Sequence, residues 1–135
     1  VTSTWESELV RRANQLDAEH AEQVRLLDQL LAALEARDAS AATLFGEALQ
    51  ASSAHFREEE ALMERYRDPR AGAHAEAHRG MLEVLGTLGD RHRAGEAVRA
   101  EVVTLKTWVT THIQTMDREF AAHLSASRLQ APVRS

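Results

Sequence analysis

His55-Phe56-Arg57-Glu58-Glu59-Glu60-Ala61-Leu62-Met63 decides how the rest of the chain is read. A helix turns about 100° per residue, so residues four apart project from one face. His55 and Glu59 therefore meet at one point, an imidazole beside a carboxylate, bordered by the apolar Phe56 and Met63. A mixed nitrogen and oxygen pair inside an apolar wall is donor chemistry for a transition metal. Taken alone, a histidine and a glutamate four apart are ordinarily a solvated surface pair. Three further stretches supply complementary donors and change that reading.

The helix carrying this stretch is expected from Ser40, as its cap, to about Tyr66, with Leu44, Ala48, Ser52, His55, Glu59, Leu62 and Tyr66 inward. Upstream, Asp17 is expected to cap a first helix whose stripe is His20, Val24, Leu27, Leu31 and Leu34. Residues 1–16 then form an N-terminal arm, anchored by Trp5 and more helical than extended through Glu8–Gln15. Downstream, Asp68-Pro69 reads as a cap followed by a proline at the first helical position. The third helix, roughly 70–88, places His74, His78, Met81, Leu85 and Leu88 on one face, with Gly86 and Gly89 at its end. A fourth, about 96–125, turns Val98, Val102, Leu105, Val109, His112, Met116 and Phe120 inward. Four amphipathic helices on short connections give an all-α, up-down-up-down antiparallel four-helix bundle over residues 17–125. Residues 126–135 read as a tail or linker, as expected of a domain within a larger signalling protein.

Composition narrows the function. The chain has 135 residues, enough for one core, and 44% of them are hydrophobic. The net charge of -5 argues against nucleic acid as a partner. Cysteine is absent, which excludes disulfides and thiolate metal sites. No apolar run reaches transmembrane length, so a cytoplasmic protein with no membrane partner is expected.

Each helix offers inward donors: His20; His55 and Glu59; His74 and His78; His112 and Asp117. A lone buried histidine is ordinarily a hydrogen-bonded core residue, and His74-x-x-x-His78 alone would suit a zinc clip. Seven buried polar groups in a small bundle are costly unless something binds them, and a cation removes the objection. Five histidines and two carboxylates exceed the needs of one tetrahedral zinc. Let both carboxylates bridge two ions, with three histidines on one and two on the other. The second ion then keeps a position open for a small molecule. Donors without thiolate suit iron or manganese. His112 and Asp117 are five apart, which an ideal α-helix separates by about 140°. Both reach one site only from opposite edges of the inward face or across a locally widened helix, so the spacing predicts a π-type turn there.

Leu16-Asp17-x-x-His20, His55-Phe56-x-x-Glu59-Glu60-x-x-Met63, His74-x-x-x-His78 and Trp108-x-x-x-His112-Ile113-x-x-x-Asp117 together resemble the motif set of the hemerythrin family, from about Trp5 to Phe120. The resemblance implies a non-haem di-iron centre, two iron ions with a bridging oxo or hydroxo, that binds dioxygen reversibly. By that analogy His74, His78 and His112 hold one iron, His20 and His55 the open one, and Glu59 and Asp117 bridge. Phe56, Trp108 and Ile113 would wall the ligand pocket. His92 and His123 fall outside the family pattern and read as surface or capping residues; Glu58 and Glu60 read as solvated or in contact with the ligands.

The expected role is oxygen sensing, storage or delivery, and not catalysis. The competing reading is a di-iron enzyme reducing peroxide or nitric oxide, which needs the same open iron. A third is a structural bundle loaded with zinc or manganese. Bulky apolar residues at the site, Ile113 above all, favour the carrier.

Overall fold

The computed structural model describes the backbone of residues 4–127 and the side chains of residues 8–126. The side chain of the expected anchor Trp5 and residues 128–135 of the expected tail lie outside that description. Among the described residues the chain is helical: α1 (Thr4–Glu35), α2 (Ser40–Arg65), α3 (Ala71–Arg93), α4 (Arg99–His112), a π-helical turn (Ile113–Asp117) and α5 (Arg118–Ser127). The last three make one bent rod, so the molecule is a bundle of four rods. α1 packs on α2 and α4, and α3 packs on α2 and α4, the ring of neighbours expected of an antiparallel bundle. No helix among the described residues is long and apolar enough to cross a membrane.

Three links reverse the chain by one device. Arg37, Arg67 and Gly95 stand at φ of 55°, 51° and 91° just past the ends of α1, α2 and α3. At each, the next residue donates its N–H to a carbonyl five residues back, as Asp38 to Ala33 (2.9 Å), Asp68 to Met63 (2.9 Å) and Glu96 to Arg91 (3.0 Å). This is the left-handed helix termination that satisfies the last open carbonyls. The aspartates after the two arginines then start the next helices. Asp38 accepts the Ser40 N–H at 2.8 Å, and Asp68 accepts the Arg70 N–H at 2.9 Å. Ser40 is thus the first residue of α2 and not its cap, and Pro69 lies in the turn before α3.

Two expected boundaries move. α1 runs unbroken across Asp17, which sits exposed in mid-helix instead of capping one. Nothing in Glu8–Gln15 breaks a helix, and Leu9 and Leu16, seven apart, are buried. α3 continues past Gly86 and Gly89 to Arg93, because a glycine weakens a packed helix without ending it. Gly89 faces Phe45, whose ring carbons would lie 3.5 Å from an added Cβ. The α1 stripe also shifts: Leu16, Gln23, Leu26, Leu27, Leu30 and Ala33 are buried, while Val24, Leu31 and Leu34 flank it. Contact with both α2 and α4 makes the apolar face wide enough to hold either stripe.

The core divides into two apolar layers. One contains Leu26, Leu30, Phe45, Phe56, Met81, Leu85, Val102 and Val109. The other contains Leu9, Leu16, Leu62, Met63, Tyr66, Phe120 and Leu124. Between them along every rod lie His20, His55 and Glu59, His74 and His78, and His112 and Asp117. On the fourth rod the buried positions step by three and four through Val98, Val102, Leu105, Val109 and His112. They then jump five to Asp117 and resume at Phe120 and Leu124. The π turn supplies the extra residue and resets the phase. Inside it, the Thr115 hydroxyl donates to the Thr111 carbonyl at 2.8 Å, where the regular ladder is interrupted.

Deleting Gln114, an exposed residue of this turn, would put Asp117 four residues after His112 and let an unbroken α-helix keep the same phase, whereas inserting an alanine after Gln114 should rotate everything downstream by about 100°. In the insertion variant Asp117 leaves the cluster, and Phe120 and Leu124 leave the core, at about 1.5–3 kcal/mol for each large apolar side chain. Gln114→Ala should keep wild-type stability and metal content. An insertion variant matching wild type in both would show that the cluster and core do not fix the phase of this segment.

Candidate metal centre

The polar layer is a convergent cluster. One ligand atom each from Glu59, His74, His78, His112 and Asp117 lies within 4.8 Å of the others, and the same holds for His20, His55, Glu59 and Asp117. The structure thus brings together all seven expected residues, in two groups that share both carboxylates.

The carboxylate oxygens divide between the groups. Glu59 Oε1 lies 2.6 Å from His74 Nε2 and 3.2 Å from His78 Nε2. Its Oε2 lies 3.4 Å from His20 Nε2 and 3.6 Å from His55 Nε2. Asp117 Oδ1 lies 2.7 Å from His74 Nε2 and 2.9 Å from His112 Nε2, while Oδ2 lies 2.9 Å from His20 Nε2. Every histidine presents Nε2. Helix geometry explains the arrangement: His55 and Glu59, and His74 and His78, are one turn apart, and the π turn brings Asp117 back beside His112.

Some of these contacts are hydrogen bonds, as from His74 to Asp117, but they do not satisfy the whole cluster. Glu59 Oε1 and His55 Nε2 are buried without a hydrogen-bond partner. His78 Nε2 and His112 Nε2 are 3.2 Å apart, two nitrogens competing for one proton. Glu59 and His78 are completely buried, and His74 is 1% exposed. Such a donor set, aimed at common points in a region too dry to hydrate it, fits cations.

The remaining ring nitrogens are organised as well. His55 donates from Nδ1 to Glu19 Oε1 (2.7 Å), and His78 from Nδ1 to Glu60 Oε2 (2.8 Å). A carboxylate on the far nitrogen fixes the tautomer that presents Nε2 and raises its basicity. Gln15 bonds both Glu19 and Glu58 from its amide, at 3.0 and 2.8 Å. Burial works to raise the Glu19 carboxyl, but hydrogen bonds from His55, Glu58 and Gln15 hold it below its ordinary range. Its neighbour Glu58 is pushed up, first by the hydrogen bond with Glu19 and then by burial. Glu19 was missed in the sequence; as the residue beside a ligand, it reads as the solvated flank of the helix.

Without a metal, the cluster keeps its balance by protonation. Burial disfavours charge on His20 and His74, but bonds to Asp117 and Glu59 outweigh it and push both up to about 9. Burial likewise opposes charge on Glu59 and Asp117, and the surrounding histidines hold both carboxyls far below the usual range. His55 is pushed down, chiefly by burial.

Phe56 lies flat on the His78 ring at 3.9 Å, with planes 4° apart, and so shields a ligand from water. Ile113 is half-buried against the larger apolar layer. Trp108 departs from expectation. It is 39% exposed on the outer face, its Cη2 only 2.9 Å from where a Cβ on Gly80 would stand, so that close approach needs a glycine. One residue off the Leu105–Val109–His112 stripe, its ring turns outward between α3 and α4 instead of joining the buried wall. His92 lies in the last turn of α3 with its ring 5.4 Å from that of Phe45. His123 donates to the Tyr66 carbonyl at 2.7 Å, a capping contact at the end of α2.

Residues 12–124 match the model of the hemerythrin HHE cation binding domain. A curated relative, bacteriohemerythrin from Stenotrophomonas maltophilia (strain R551-3), is 27% identical over 124 residues, covering 90% of this chain and 81% of its own length. No solved structure gives a significant match.

Glu59→Ala or Asp117→Ala removes an oxygen from both groups, whereas His20→Ala removes one nitrogen from one group. After dialysis, wild type should retain the most metal, His20→Ala less, and the carboxylate variants least. Carboxylate variants retaining as much as wild type would show that the shared oxygens do not bind.

The metal-free protein should have a narrow pH optimum. Raised His20 and His74 values contribute stability that is full below the unfolded value of 6.5 and lost as pH rises through about 9. The depressed carboxyls contribute stability that is present above their unfolded values and lost toward acid. Its thermal midpoint should therefore fall between pH 6.5 and 9; a flat or rising midpoint there would contradict the protonated pairing.

Proposed function

The chain belongs to the hemerythrin family, and we propose that its cluster holds two iron ions, joined by an oxo or hydroxo bridge, that bind dioxygen reversibly for sensing, storage or delivery. The observation carrying this reading is the division of each shared carboxylate, one oxygen toward the His74 side and one toward the His20 side. That is the geometry of bridging ligands between two cations. Three histidines on one side and two on the other leave a coordination position open on the His20–His55 side. Histidine and carboxylate donors without thiolate suit iron. When bound, the iron pair supplies the two electrons that dioxygen takes up and returns.

The chain's own residues hold and shield. His74, His78 and His112 fix one ion, and His20 and His55 the other. Glu19 and Glu60 orient His55 and His78 through their far nitrogens. Phe56 and Ile113 supply apolar surface with no proton to give. Release of neutral dioxygen is favoured over loss of a reduced, protonated species when water and acids are kept out.

Two irons per chain, with the near-ultraviolet absorption of an oxo-bridged diferric pair, are expected after expression in iron-replete medium; one tetrahedral zinc per chain would overturn the reading. Ile113→Glu introduces a protonating, hydrating group beside the cluster. It should speed autoxidation by about 10-fold, equivalent to about 1.4 kcal/mol off the barrier. Stopped-flow decay of the oxygenated spectrum measures this against Ile113→Ala. Wild type oxidising as fast as Ile113→Glu while turning over peroxide would replace the carrier with an enzyme.

A further inference from the structure

Gln23 is 4% exposed among leucines, and its amide donates to the equally buried Ser52 hydroxyl at 3.0 Å. Neither side chain belongs to the ligand cluster. Gln23 stands one turn beyond His20 on α1, and Ser52 one turn before His55 on α2. The pair therefore comes from the same two helices, on the same side of the bundle, as the two-histidine group. Both line a cavity of about 10 Å³ whose other walls include Leu27, Phe56, Met81 and Val109. That volume admits about one water-sized molecule.

A polar pair here is not explained by packing. Replacing a buried hydrogen-bonded pair by apolar groups of similar shape is commonly neutral or stabilising, and leucines would continue the layer on all sides. The amide also has capacity to spare: a glutamine carries two N–H donors, and the bond to Ser52 uses one. Ser52 fixes the amide in place, so the second N–H is held at low entropic cost in a region of low dielectric.

Building on the di-iron reading, we propose that Gln23, oriented by Ser52, is a positioning residue that donates a hydrogen bond to a small, partly anionic ligand bound on the His20–His55 side. The N–H donor favours ligands that gain electron density when they bind. The remaining wall is apolar, so this one donor would distinguish such ligands from neutral ones of equal size.

Azide is the probe, added to the oxidised iron-loaded protein. Wild type, Gln23→Leu and Gln23→Met are compared by azide titration and by the infrared azide stretch in H₂O and D₂O. Loss of a hydrogen bond to an anion should weaken azide binding by about 10-fold and abolish the D₂O shift of the stretch, at unchanged iron content. Ser52→Ala, which frees the amide to turn, should give an intermediate loss. The metal-free double variant Gln23→Leu/Ser52→Ala should melt at or above wild type. Unchanged azide affinity and spectrum in both Gln23 variants would overturn the proposal while leaving the di-iron reading intact. So would a lower melting point in the metal-free double variant with azide binding unaffected, since the pair would then be structural. A wild type with no iron or no azide adduct would overturn both.

Discussion

Two carboxylates buried among five histidines are the constraint on which this structure depends. Glu59 and Asp117 carry a formal charge of -2 into a layer sealed above and below by apolar side chains. Isolated there, each would cost several kcal/mol in lost hydration. Two answers are available to the same side chains. Protons on His20 and His74 balance the carboxylates in the metal-free protein, and cations displace those protons when they bind. The histidine–carboxylate network is thus suited to both states, but only cations satisfy the donors that point past one another, Glu59 Oε1 and His55 Nε2.

The fourth rod shows how a local backbone irregularity serves that constraint. A strictly α-helical chain cannot keep Val109 and His112 inward, bring Asp117 to the same point and still bury Phe120 and Leu124. One extra residue in the π turn permits all of it. The turn disturbs regular hydrogen bonding, and packing on both sides holds it: Val109 anchors the larger apolar layer, Phe120 and Leu124 the smaller. Functional geometry here is fixed by core residues that touch no ligand.

Much of this was legible in the sequence, and the failures have physical causes. Periodicity placed His55, Glu59, His74, His78 and His112 inward because ligand and core positions share one phase. The five-residue step to Asp117 revealed the π turn because regular α geometry could not satisfy it. Asp17 misled because capping chemistry is local, whereas α1 is held through that point by Leu9 and Leu16 packing against the ends of α2 and α5. Gly86 and Gly89 misled for the same reason, tertiary contact overriding propensity. Glu19 and Gln23 were missed because glutamate and glutamine read as solvent-facing. Only the position of the neighbouring helix turns one toward His55 and encloses the other with Ser52. Trp108 was misplaced by a single residue of phase, enough on a helix to move a ring from wall to surface.

The placement of the cluster also ties cation binding to folding. Its donors come from all four rods, so bound cations would cross-link the helices between the two apolar layers. The unfolded chain presents no such constellation, because residues as distant as His20 and Asp117 must meet. Binding free energy therefore appears as folding free energy, growing with the ratio of free cation to dissociation constant. The protein can then tolerate an expensive interior: a polar layer, a π turn and a buried glutamine–serine pair, none of which an apolar bundle would need. Each is a local weakness in the empty fold, and each lies in the cluster or within one turn of it. The distribution of strain and polarity along the chain thus marks the functional site independently of any single ligand assignment.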